Sequence, residues 1–154
     1  MSSKVLSREF ELLKKDLIIA YDAKGMRASG KFADTLEVQV TGLTARLFGE
    51  DYSQQLETGR KAGRFPPINA IEQWIKDKGI ANRIQGEISI SSLAFLIARK
   101  IARNGWKRED HGGVQLISEV VTDQRIQNII DEVGAEQALI YTTEIIKLVN
   151  EIAV

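Results

Sequence analysis

The sequence contains no cysteine, one histidine and two prolines among its 154 residues. Without thiols, neither a disulfide framework nor a thiolate metal site can form, a composition that suits a reducing compartment. A single imidazole, His111, removes most zinc sites and nucleophilic triads, and no nucleophile-elbow spacing accompanies it. Gly59 and Gly63 are followed by Arg64-Phe65-Pro66 rather than the Lys-Ser/Thr pair of a phosphate-cradling loop. The carboxylate pairs Glu109-Asp110 and Asp131-Glu132 are sequence neighbours, and neighbours on a helix do not face one another. No run approaches the ~18 apolar residues of a membrane span. Met1-Ser2-Ser3-Lys4 passes straight into an amphipathic pattern broken by charges, without the apolar core of a signal peptide. These absences lead to the expectation of an intracellular, non-enzymatic protein with no cofactor, no metal and no membrane association.

What is present is a segregation of charge. Lysine plus arginine and aspartate plus glutamate both total 21, so the net charge is zero. Residues 1–57 carry 8 basic and 9 acidic side chains, residues 58–108 carry 11 and 3, and residues 109–154 carry 2 and 9. The three segments therefore run from −1 through +8 to −7. The length fits one domain, residues 1–154, able to bury roughly two-thirds of the surface its unfolded chain exposes.

Leu6, Phe10, Leu13, Leu17 and Tyr21 recur at three- and four-residue steps, which predicts a helix from Val5 to about Ala23 stopped by Gly25. Ser29-Gly30 opens a flexible approach to the next element. Leu36, Val38 and Val40 alternate with polar residues, Thr41-Gly42 supplies a tight turn, and Leu43, Ala45 and Leu47 restart the alternation. An antiparallel hairpin with one buried face is predicted. Between Glu50 and Pro67 the period vanishes while Gly59, Gly63, Pro66 and Pro67 gather, as in a shaped loop. Ile68, Ile71, Trp74 and Ile75 then predict a short helix closed by Lys78-Gly79. Ser91 or Ser92 would cap a second, with Leu93, Leu96, Ile97 and Ile101 as its stripe and Asn104-Gly105 as its end. Val114 to Val121 fits a helix or a strand equally. Capped by Thr122 or Asp123, a long final helix carries Ile126, Ile129, Ile130 and Val133, then Tyr141, Ile145, Leu148, Val149 and Ile152, with Gly134 as a bend point. No internal repeat, heptad array or low-complexity tract is present. The expected class is α+β: a small antiparallel sheet built on the hairpin, packed with an N-terminal helix, two central helices and a long C-terminal helix.

The +8 segment has two uses open to it. Arg60, Lys61 and Arg64 in the loop, with Arg99, Lys100, Arg103, Lys107 and Arg108 on or just after a helix, could meet phosphates, although aromatic interleaving is thin. Alternatively, the basic segment faces the −7 segment of a neighbouring copy, and head-to-tail contacts of that kind close into rings when the rotation per subunit permits.

The run Tyr52-Ser-Gln-Gln-Leu56-Glu57-Thr58-Gly59-Arg60-Lys61-Ala-Gly63-Arg64-Phe-Pro66-Pro67, followed by Ile71-Glu-Gln-Trp74 and Lys78-Gly79-Ile80, resembles the tail-completion (neck, tail-terminator-like) family of tailed bacteriophages. In that family an aromatic residue precedes a Leu/Val-Glu-x-Gly turn, a basic and proline-containing loop, and then a helix. Ser29-Gly30-Lys31 and the stretch from Ala94-Phe95 to Gly105 are similar to family features as well, so the likeness spans about residues 5–105. The C-terminal third, with Gly112-Gly113 and its long helix, departs from shorter members, which often end in an arginine-proline-phenylalanine motif. The resemblance implies a virion structural role at the neck, assembled in the host cytoplasm. It implies a homo-oligomeric ring, hexameric or larger, touching connector or head-completion proteins and tail-tube proteins, with DNA passing through its lumen. It also implies that Tyr52, Leu56, Glu57, Gly59, Arg60, Lys61, Gly63, Arg64, Pro66, Pro67 and Trp74, with Arg99 and Arg103, form the subunit or partner interface.

Overall fold

The structure, a computed structural model, describes residues 2–83, 88–107 and 115–152. The opening amphipathic stripe forms helix α1, Lys4–Ala23, which buries Leu6, Leu13, Leu17 and Tyr21. Ser3 starts it by accepting a hydrogen bond from the Leu6 amide at 3.1 Å, satisfying one of the donors a helix leaves orphaned at its first turn. Gly25, at a φ of 63°, ends it in the left-handed conformation.

A short helix α2, Lys31–Thr35, replaces the flexible approach expected after Ser29-Gly30. Its anchor is Phe32, 2% exposed, whose ring lies 4.5 Å from that of Tyr21. Strands β1, Glu37–Thr41, and β2, Thr44–Phe48, pair antiparallel with Val38 opposite Leu47 and Val40 opposite Ala45. This face packs on α1. Leu43, assigned by alternation to the buried face, is exposed at the tip because Gly42 and Leu43 are themselves the two-residue turn.

The aperiodic stretch after the hairpin is not all loop: Ser53–Thr58 forms helix α3. Helix α4, Ile68–Asp77, leads through a 3-10 turn at Ile80–Arg83 towards α5, Ile90–Asn104. The cap of α5 is Ser89, two residues before Ser91 and three before Ser92, its hydroxyl accepting from the Ser92 amide at 3.1 Å. Ala94 and Ala98 are fully buried, and these small side chains let α4 bring Ile71 and Ile75 close to the α5 axis. Helix α6, Leu116–Val120, resolves the helix-or-strand ambiguity, with Leu116 fully buried against Leu17, Tyr21, Met26, Phe32 and Leu36. The last element is α7, Asp123–Ile152, a helix of 30 residues. Helices around a two-stranded antiparallel sheet make the protein α+β.

Helix α7 runs antiparallel to α1. Arg125 meets Asp16 at 2.5 Å, Glu132 meets Arg8, and Glu136 meets the first residues of α1. Ile129 closes the core between them with Leu6 and Leu13.

Candidate functional site

The segment from Tyr52 to Pro67 divides into side chains that hold the fold and side chains that face outward. Leu56 packs against the main core. The Glu57 carboxylate accepts from the Ile117 and Ser118 amides at 2.7 and 3.2 Å, capping α6. Gly59 ends α3 at φ 74°, ψ −169°, and a Cβ there would stand 2.4 Å from the Trp106 carbonyl oxygen. Gly105 ends α5 in nearly the same conformation, and a Cβ there would stand 2.4 Å from the Arg60 carbonyl oxygen. The two glycines allow Arg60 and Trp106 to exchange backbone hydrogen bonds, at 2.9 and 2.7 Å, in an isolated antiparallel bridge. Pro66 is buried.

Lys61, Gly63, Arg64 and Pro67 are exposed, and Arg60 is half-buried. This outward run lies along α5: the Gly63 amide donates to the Ala102 carbonyl at 2.8 Å, and the Phe65 ring stacks on Phe95 with centroids 6.1 Å apart. The loop and the open side of α5 are thus one surface. Ile68, Ser91, Ser92, Phe95 and Leu96 line an open trough there of about 440 Å³. Towards its C-terminus the same side of α5 presents Arg99, Lys100 and Arg103, all exposed and absent from the ion pairs seen among the described residues. Trp74 is 41% exposed and Phe95 45%, so neither is a core residue. Partial burial pushes the phenol of Tyr52 up to about 12, leaving it a neutral hydroxyl. Among the described residues no group of carboxylates and imidazoles could hold a metal ion, and no helix is long and apolar enough to cross a membrane. Arg108, Glu109, Asp110 and His111 lie outside the described residues.

Comparison with protein-family models, curated proteins and solved structures finds no match to this chain.

The other outward surface is the second half of α7. Glu136 reaches the N-terminus of α1, accepting from the Ser3 hydroxyl and from the Lys4 and Val5 amides at 2.9 and 3.3 Å. The Ser3 hydrogen bond, with the two amides behind it, holds the Glu136 carboxyl below its ordinary value. Helix α1 begins at this point, and residues 137–152 run ~24 Å past it. Leu139, Ile140, Tyr141, Ile145, Ile146, Leu148, Val149 and Ile152 are each between 45% and 84% exposed there. The sequence stripe marked five of these as apolar; Leu139, Ile140 and Ile146 lie off that stripe and were identified only from their exposure. Ion pairs draw α7 to α1 rather than to the basic segment.

Proposed function

We propose that the chain is a structural, non-enzymatic subunit of a tailed-phage neck: one copy of a homo-oligomeric ring that completes or terminates the tail and joins it to the head connector. The observation that carries the self-associating part is the bare half of α7. Soluble monomers seldom leave so long an apolar strip uncovered, and such strips mark sites of association. The phage part rests on the resemblance through residues 52–67. The division of that segment supports it further, because Glu57 and Gly59 fix the loop from behind while Lys61 and Arg64 point out. A loop held in shape before docking loses less entropy on binding.

Light scattering and negative-stain microscopy test the reading. The protein should assemble with rising concentration into closed rings, and Arg60→Glu with Arg64→Glu should weaken that assembly. A strict monomer at high concentration that also retains no connector or tail-tube subunit would end the proposal.

One observation favours a second reading, a nucleic-acid-binding module. Arg99, Lys100 and Arg103 form an exposed basic stripe on one side of α5, beside Lys61 and Arg64. Retention on duplex DNA would then fall with salt, and the logarithmic slope would drop by about one for each arginine replaced. Absence of retention at low salt dismisses it.

A further inference from the structure

The bare half of α7 and the open side of α5 lie at opposite ends of the same subunit. The α4–α5 pair is tied near the C-terminal end of α1, where Lys78 Nζ donates to the Gly25 carbonyl at 2.6 Å. The overhang leaves past the N-terminal end of α1, at Ser3. About 30 Å of helix separates these points, so the overhang cannot fold back onto the α5 of its own chain.

The two surfaces match in chemistry. Ala138, Tyr141, Ile145, Leu148 and Ile152 recur at alternating three- and four-residue steps, the seam by which one helix packs along another, over a run too short to form a heptad array. Glu144 and Glu151 flank the seam, with Lys147 as the overhang's one cation. The side of α5 that faces outward begins with the apolar trough of Phe95 and Leu96 and ends in Arg99, Lys100 and Arg103. An overhang of net −1 thus matches a face of net +3. The five large apolar side chains on or beside this seam, Tyr141, Ile145, Leu148, Val149 and Ile152, leave on the order of 600 Å² bare at their exposures. With a polar rim that approaches the roughly 800 Å² per partner of a standard stable interface.

We infer that residues 137–152 are a docking arm and that the open side of α5, with the loop stacked on it, is the receptor for the arm of a second copy. The inference rests on the homo-oligomer reading above and names its two surfaces. An arm at one end and a receptor at the other make a heterologous contact, the kind that propagates from copy to copy and closes into a ring when the rotation allows. The glutamates set the register by meeting the arginines.

Two variants separate the surfaces. Ile145→Asp with Leu148→Asp disables the arm, and Leu96→Asp with Arg99→Glu disables the receptor. All four side chains are exposed, so melting temperature and far-ultraviolet circular dichroism should match the wild type. Each variant alone should self-associate at least ~30-fold more weakly. Mixed, the two should form a one-to-one pair that grows no further, since only one intact arm and one intact receptor remain. Should either variant fail to fold, Arg99→Glu with Arg103→Glu provides the second route: its assembly should be lost and then restored by Glu144→Lys with Glu151→Lys. A receptor variant that assembles like the wild type, a mixture without the one-to-one pair, or a charge swap without rescue overturns the inference while leaving the oligomer reading intact. A wild-type protein that stays monomeric overturns both.

Discussion

The second half of α7 is the more apolar of its two halves, yet only the first has a covered face, with Ile126 and Ile130 exposed on its other side. From Asp123 to Glu136 the helix lies along α1, with Ile129 sealed between Leu6 and Leu13 and charged contacts at Arg125, Glu132 and Glu136. From residue 137 onward every large apolar side chain is at least 45% exposed. The difference is not one of hydrophobicity. It follows from the length of the neighbour, because α1 begins at Lys4 and no other helix or strand among the described residues packs on the rest. The overhang stays helical because it continues a helix already nucleated by packing, so it adds one hydrogen bond per residue without a new nucleation cost. An apolar helix stabilised from one end and bare at the other has a subunit-level role in its first half and leaves its second half free for the assembly role proposed above.

A matched pair of substitutions gives the sharpest test of that contrast. Ile129→Ala should cost the folded subunit about 2–5 kcal/mol, the range for emptying a buried isoleucine site. Ile145→Ala, 60% exposed, should change subunit stability by no more than about 0.5 kcal/mol. Urea unfolding at a concentration where the protein is monomeric measures both. Equal losses would mean that the overhang packs on its own subunit, and the contrast would fail.

The Tyr52–Pro67 segment repeats the same division on a smaller scale, and Gly59→Ala against Arg64→Ala tests it. Gly59 occupies a region of backbone space nearly restricted to glycine, and an added methyl would press on the Trp106 carbonyl. The expected loss is about 1–3 kcal/mol for the conformation alone. Arg64, exposed, should lose less than about 0.5 kcal/mol and yet weaken assembly. If Gly59→Ala unfolds at the wild-type midpoint, the reciprocal bridge between Arg60 and Trp106 is not what holds the loop to α5.

Much of the fold was legible in the sequence. Helices α1, α4, α5 and α7 are long enough to display a 3.6-residue period, and the hairpin displays its period of two on either side of Gly42. Helices α2 and α3 leave no mark in the sequence, and α6 leaves helix and strand equally open, because five or six residues make barely more than one turn, too few for a clear period to show. What reveals α2 in three dimensions is Phe32 against Tyr21, a contact that no local pattern encodes. The same limit applies to the site. The order Leu56-Glu57-x-Gly59 stood out in the sequence, but the task of Glu57 depends on α6 lying beside it, about sixty residues further on. Likewise the apolar stripe of α7 was visible to its last turn. Periodicity reports that a face is apolar and cannot say whether its own subunit covers it.

The contact that fixes where α7 parts from α1 should also be the subtlest to measure. Glu136 accepts from the Ser3 hydroxyl and two amides at the positive end of α1, and its carboxyl is held below its ordinary value of 4.5. A depressed folded value means that the fold favours the charged form. The contribution is therefore fully present above about pH 4.5 and is lost as pH falls through the lowered folded value. Glu136→Gln keeps an acceptor oxygen but removes the charge, so it should melt slightly below the wild type at about pH 7, with the gap closing as the solution is acidified through the lowered folded value. Arg8–Glu132 and Arg125–Asp16 lie on the same interface, but both proteins contain them, so they cancel in the difference. A gap of the same size before and after acidification would show that the glutamate acts there by shape rather than by charge. The boundary between the covered and bare halves of α7 would then be set by packing at Leu6 and Ile129 alone.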